Sequence, residues 1–202
     1  MEGVLVILGI SCIRGGRLIS QAIILCGGRG ERLKPITNTV PKPMVEVCGR
    51  PFVSYLVEIL RNCGIEDIVL SVGYLKERFS ELDGTVRLCD CREKVNDSIL
   101  SVLGLESRFV VANGDVLPIL KWKEFLRSKV GTVAIKTNPV LKDVGVCIVD
   151  RKDVETNYVD CGNMRGMIEK YDNFSATGNL HIGTVDGLQL AEDTLKWWWR
   201  KK

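Results

Sequence analysis

Histidine is almost missing from this chain: His181 is the only one in 202 residues. Metal sites built on two or more imidazoles are thereby excluded, and His181, flanked by Leu180 and Ile182, reads as a structural residue. The eight cysteines form no Cys-x-x-Cys pair, and only Cys89 and Cys91 stand close together. Ribbon-type zinc sites and dithiol redox motifs therefore have no footing, and most of these thiols sit in apolar runs as small hydrophobes. No apolar run approaches the roughly 20 residues that a membrane-spanning helix needs. The run Val4–Ile10 also lacks the basic lead and small-residue cleavage site of a secretory signal. An extra edge strand, or an extension from an upstream start codon, is the expectation there, and the cytoplasm is the default location. A broad basic face is missing too. The net charge is +3, and removing the four positive charges of Lys196, Arg200, Lys201 and Lys202 leaves −1, which argues against a nucleic-acid binder.

What the chain does have is an apolar run that stops abruptly at glycine. Ala22–Cys26 is followed by Gly27, Gly28 and Gly30, then by Arg32 and the segment Pro41-Lys42-Pro43-Met44. A buried strand that feeds such a loop lets backbone N–H groups approach an anion closely. Arg32 adds a planar charged fork and Lys42 a compact point charge, so a polyphosphate suits the segment. No Gly-Lys-Ser/Thr closes it, so it is not a P-loop. Leu33 stands where a dinucleotide fingerprint needs its third glycine. Between Arg29 and Arg50 five basic residues outnumber Glu31 and Glu46, so positive charge is concentrated at the phosphate loop.

Downstream, strands alternate with helices. Phe52, Tyr55, Leu56, Ile59, Leu60 and Cys63 recur at helical spacing, with Gly64 as the stop. Strands are expected at Asp67–Val72, Thr85–Cys89 and Phe109–Ala112, and helices at Leu75–Leu82, Ser98–Leu103 and Leu120–Ser128. Val130–Lys136, Val144–Asp150 and Met164–Lys170 read as strands without intervening helices. This order predicts an α/β fold: a Rossmann-like, mostly parallel sheet flanked by helices, with an antiparallel, strand-rich second half. Ligands of such sheets bind beyond the carboxyl ends of the strands, where the glycine loop and Asp115 both fall. Asp115, after Asn113-Gly114, offers hard oxygen ligands to a cation such as Mg²⁺. As plain turn chemistry, Asn-Gly-Asp needs no metal at all.

Gly-Gly-x-Gly-x-Arg-Leu-x-Pro-Ile-Thr followed by Pro-Lys-Pro-Met resembles the signature of sugar-phosphate nucleotidyltransferases, with Glu31 in place of the commoner threonine. The resemblance implies the nucleotide-diphospho-sugar transferase fold. It also implies a reaction in which a nucleoside triphosphate and a sugar 1-phosphate give a nucleotide sugar and pyrophosphate. By that resemblance Arg32 and Lys42 are catalytic, Gly27, Gly28 and Gly30 bind the nucleotide, and Asp115 binds magnesium. Ile168-Glu169-Lys170 resembles a Glu-Lys-Pro motif, with Tyr171 for proline, so Glu169 would hold sugar hydroxyls and Lys170 the sugar phosphate. Gly145 and Gly178 resemble glycines that line the sugar pocket.

Two departures stand out. Where the family carries a glycine-rich segment touching the base, this chain has Lys94–Leu100, leaving Asn96 and Asp97 as candidates. A second metal-binding aspartate, which the family supplies near its C-terminal end in an Asp-Ile-Gly-like segment, is not found after Gly178; Asp186 and Asp193 are candidate substitutes that no spacing singles out. The expected organisation is an extension over 1–20 and a nucleotidyltransferase domain over 21–202 that lacks the usual C-terminal end. The tryptophans 197–199 read as a partner-binding or membrane-surface tail, or as an aberrant end. A homo-oligomer is compatible with the sequence. The base and sugar lean toward mannose- or heptose-1-phosphate guanylyl transfer. The alternative is a catalytically weakened homologue that binds a nucleotide sugar or regulates an active subunit.

Overall fold

The computed structural model describes residues 19–82, 84–91, 93–137 and 141–200; the expected strand at Val4–Ile10 lies outside the described residues. The first strand, β1 (Gln21–Cys26), is apolar along nearly its whole length because both of its faces are covered. Ala22, Ile24 and Cys26 enter one hydrophobic cluster, whereas Ile23 enters the other, with Leu25 packed against it. Parallel neighbours flank it: β4 (Asp67–Val72) on one side and β6 (Arg108–Asn113) on the other.

Two short strands, β2 (Glu46–Val47) and β3 (Arg50–Pro51), pair with each other and lead into helix α1 (Phe52–Asn62). Its buried residues include Phe52, Leu56, Ile59 and Leu60, which pack on the Ala22–Ile24 face. Gly64, at φ 90°, ends the helix as expected, with its N–H donating to the Arg61 carbonyl. Strand β5 (Arg87–Asp90) extends the parallel sheet beyond β4. Helix α2 (Val95–Leu100) precedes β6, and β7 (Val116–Ile119) and the short helix α3 (Trp122–Phe125) follow it.

The second half adds β8 (Thr132–Thr137), β9 (Leu141–Asp150), α4 (Arg151–Glu155), β10 (Asp172–Ser175), β11 (Gly178–His181) and α5 (Val185–Arg200). The seven-stranded sheet runs β10-β8-β9-β6-β1-β4-β5. Within it β9 alone runs antiparallel to its neighbours, so the sheet is mostly parallel as expected. The remaining antiparallel character lies in β2–β3 and in the β7–β11 ribbon. Among the described residues no helix is long and apolar enough to cross a membrane. Cys26, Cys48, Cys63, Cys89, Cys91, Cys147 and Cys161 are free thiols.

Met164–Lys170 is not a strand. Met164–Met167 forms a 3-10 turn, because the Asn163 side chain accepts from the Gly166 N–H and the Lys170 and Tyr171 N–H groups both donate to the Met167 carbonyl. A local Asn-x-x-Gly turn captures the backbone groups that a strand would have to leave for a neighbour. The expected helix over Leu120–Ser128 shortens to Trp122–Phe125, whose aromatic rings meet edge to face.

At the amino end of β4, Asp67 is held by Arg87 Nε at 2.7 Å and Nη2 at 2.6 Å, and by Gln21 Nε2 at 2.6 Å. The Arg87 hydrogen bonds outweigh burial and set the Asp67 carboxyl below its ordinary value of 3.8. A lowered folded value means stabilisation that is present above the ordinary value and lost as pH falls through the lower one. Asp67→Asn is therefore expected to cost about 1 kcal/mol at neutral pH. The gap to wild type should close in acid, as read by urea denaturation across the range. A gap that stays constant with pH would remove the Asp67–Arg87 pair as its source.

Candidate active site at the strand ends

The loop after β1 is shaped before any ligand is considered. Gly27 lies against Cys91, whose Sγ is 2.6 Å from where a Cβ on Gly27 would stand, so no larger residue fits without a shift. Gly30 takes φ 65°, the left-handed region, and its carbonyl receives both the Leu33 N–H at 2.9 Å and the Thr37 hydroxyl at 2.9 Å. Leu33 and Thr37 are fully buried and pin the turn from inside. The Tyr74 hydroxyl then donates to the Thr37 carbonyl at 2.9 Å, tying the loop to the segment after β4. Three short 3-10 turns, Glu31–Leu33, Ile36–Asn38 and Lys42–Met44, fold the chain back on itself. The stem of Lys42 thereby returns to the loop, with its Cβ 3.0 Å from where a Cβ on Gly30 would be.

Asp115 arrives from the neighbouring strand. The Gly114 N–H donates to the Leu25 carbonyl at 3.0 Å, which docks the β6–β7 turn beside the end of β1. Across that seam Lys42 Nζ forms an ion pair and hydrogen bond with Asp115 Oδ2. His181 Nε2 hydrogen-bonds the same oxygen at 3.1 Å. The ribbon of β7 and β11 delivers this imidazole, and the Ile182 N–H donating to the Asp115 carbonyl at 3.1 Å locks the approach. Arg32 completes the group: a Cβ on Gly183 would stand 3.1 Å from its Nη2 and collide with the His181 ring. Guanidinium, imidazole, carboxylate and ammonium thus share one cluster at the carboxyl end of the parallel strands.

Burial by itself would raise the Asp115 carboxyl, but the His181 hydrogen bond and the Lys42 charge overcome it and hold the value at about 2. The side chain is a carboxylate throughout the physiological range. Cys26, below the turn, behaves in the opposite way. Burial, reinforced by the Asp115 and Cys91 charges, pushes its thiol well up, so it stays protonated and inert.

The other sequence-derived candidates divide. Gly28 is open, with no atom within 4 Å of a Cβ placed there, which leaves its backbone accessible to a ligand. Gly145, on β9, lies against Asn113 Nδ2 and Val116, close to the Asp115 turn. Gly178 starts the strand that ends at His181 and pairs with Ile119, about 10 Å from the cluster at strand rise. Asn96 is not placed to read a base. It is buried, its amide donates to the Val159 carbonyl at 2.8 Å and to Asn157 Oδ1 at 3.2 Å, and its oxygen accepts from the Cys161 N–H. It clamps α2 to the loop after α4. Asp97 is exposed in the first turn of α2, its carbonyl accepting from the Ser101 N–H.

Glu169 and Lys170 are not brought to the cluster. They lie in the turn before β10, and Lys170 Nζ donates to the Tyr158 carbonyl at 2.7 Å while resting 5.1 Å from the Tyr158 ring. The sheet register puts the first residue of β10, Asp172, level with Ala22 through Thr132, Ile148 and Val110, far from the Cys26 end of β1. His181, which reads from sequence as a structural residue, reaches the cluster and hydrogen-bonds Asp115. Its signal was phase: in Leu180-His181-Ile182 the two neighbours are buried and the histidine faces outward at the end of a strand. Asp193 is engaged by Gln189 Nε2 at 3.0 Å on α5. Among the described residues no three His, Cys, Asp or Glu side chains converge.

Gly183→Ala should force the His181 ring away from Asp115 while leaving the sheet intact. The single imidazole makes this readable without assignment: its nitrogen resonances should shift in a ¹H–¹⁵N spectrum. An unchanged imidazole signal would place the ring elsewhere.

Residues 21–93 match the family described as nucleotidyl transferase. Over 146 residues, 64% of this chain and 33% of the relative, the chain is 32% identical to "Bifunctional protein GlmU" of Methanocaldococcus jannaschii. Over 57 residues, 28% of this chain and 16% of the relative, it is 51% identical to the mannose-1-phosphate guanyltransferase of Eremothecium gossypii. In both cases the chain spans about a third or less of the relative's length. The fold is similar to the crystal structure of HddC from Yersinia pseudotuberculosis, with a TM-score of 0.67 at 22% identity, covering 88% of this chain and 100% of that one. The phosphate-loop sequence and these matches agree in their similarity to nucleotidyl transferases, and the fold is shared with HddC.

Proposed function

We propose that this chain joins a nucleoside triphosphate to a sugar 1-phosphate, giving a nucleotide sugar and pyrophosphate. The observation that carries the reading is the meeting of Arg32, Lys42 and Asp115 beside an open glycine loop at the ends of parallel strands. A sugar-phosphate oxygen forms the new bond to the α-phosphorus. The bond from that phosphorus to the bridging oxygen breaks, and pyrophosphate leaves with the electron pair. The nucleophile is already an anion, so no general base is needed, and the work is to hold two anions in line. The fork of Arg32 suits the departing pyrophosphate, and Lys42 the α-phosphate. Backbone N–H groups at Gly28 and Gly30 suit the phosphate tail.

Asp115 fits a magnesium ion. It is ionised, and among the described residues its Oδ1 has no hydrogen-bond partner, which leaves hard-oxygen lone pairs for a cation. When bound, the ion supplies positive charge that offsets the repulsion between the two phosphates. The similarity over 57 residues to a mannose-1-phosphate guanyltransferase supports the mannose side of the mannose- or heptose-type reading and a guanine nucleotide. On this reading the catalytic domain spans 21–202, and the protein works in the cytoplasm, where nucleoside triphosphates are made.

Pyrophosphate release, screened across nucleoside triphosphates and sugar 1-phosphates, tests the proposal. Silence throughout, with nucleotide still bound, would transfer support to a binding or regulatory homologue. Arg32→Ala should lower kcat by about 100-fold or more without shifting Tm, because the side chain is exposed and acts on developing charge. Near-normal turnover by that variant would remove Arg32 from the reaction. Asp115→Asn should abolish most of the magnesium-dependent rate; an unaltered metal requirement would exclude it as a ligand.

A further inference from the structure

We propose that His181 Nε2 and the Asp115 carboxylate are adjacent ligands of one divalent cation, a mixed nitrogen–oxygen site that favours manganese or cobalt over magnesium. The inference deepens the reading of the same site and rests on it only for the phosphate oxygens that complete the coordination.

The geometry is that of two neighbouring corners of an octahedron. Ligands about 2.1 Å from one ion and at right angles to each other lie about 3 Å apart. Nε2 and Oδ2 are 3.1 Å apart, so both can reach one ion without movement of either strand. Their positions are fixed from both sides. The Ile182 N–H to Asp115 carbonyl bond sets the backbone spacing, and the ring lies on Gly183, where a Cβ would collide with it. The site is also open. The His181 side chain is 41% exposed, against 17% for Asp115, so an ion enters from the imidazole side.

Donor chemistry then decides the preference. A site of carboxylates alone suits magnesium, whereas an imidazole nitrogen raises affinity for first-row transition ions. No third His, Cys, Asp or Glu joins the pair among the described residues. The remaining positions therefore belong to water and to phosphate oxygens. Lys42 shares Oδ2, and a divalent ion held at that oxygen would repel the ammonium and leave it available to a phosphate oxygen.

The test uses Mn²⁺ alone, with no nucleotide, on the full chain. Pulsed electron paramagnetic resonance should show ¹⁴N coupling from one directly bound nitrogen. The coupling should be lost in His181→Ala and should change to the ¹⁵N pattern when wild-type protein is labelled only at histidine. The labelled wild type keeps the test valid if the variant folds poorly. Titration should also rank Mn²⁺ and Co²⁺ above Mg²⁺ in wild type, with the ranking narrowed in His181→Ala. Bound Mn²⁺ without nitrogen coupling, or no Mn²⁺ binding at all, overturns the proposal. Nitrogen coupling together with a silent pyrophosphate screen would sustain this metal site while removing nucleotidyl transfer; turnover without coupling would do the reverse.

Discussion

The carboxylate of Asp115 is the point on which distant parts of this chain converge. Lys42 comes to it from 73 residues upstream and His181 from 66 residues downstream, and both meet the same oxygen. Bringing a carboxylate this far out of water is costly, and an ammonium alone seldom repays the cost. Here two donors act together, and their combined effect exceeds the burial penalty, because the carboxyl titrates at about 2 rather than above its ordinary value of 3.8. The surrounding turns hold that shielded charge against its two donors.

The same comparison explains why the glycines lie where they do. At Gly27 the neighbouring element is Cys91, at Gly30 the stem of Lys42, and at Gly183 the His181 ring. Each lets a functional or supporting group come closer than any side chain would permit. Close approach, more than flexibility, is the property in use. It lets a loop that follows a buried strand pack directly against its neighbours.

How much of this was readable beforehand depends on the range of the interaction concerned. Asp67–Val72, α1 and the Gly64 stop were legible because period, burial and capping are encoded within a few residues. That the glycine loop, Lys42 and Asp115 come together was legible because the loop motif has its own spacing and Asp115 follows a buried strand, so both fall at strand ends of one sheet. Met164–Lys170 misled, since an apolar pattern was overruled by the side chain of Asn163. Asn96 and Lys170 looked available because nothing local revealed their partners, which stand about 60 and 12 residues away. The contact of His181 with Asp115 was hidden for a related reason: it depends on a ribbon pairing between β7 and β11, and a lone histidine between two apolar residues carries no trace of that pairing.

Helix α5 has a consequence of its own. Ala191 and Leu195 are fully buried, and the helix rests on both β11 and β2, with Cys48 Sγ reaching the Glu192 carbonyl at 3.6 Å. Those two strands adjoin the segments that carry His181 and Lys42. One helix is therefore a common backing for the strand that ends at His181 and the strand that follows Lys42, so a packing change at Ala191 or Leu195 bears on both sides of Asp115 at once.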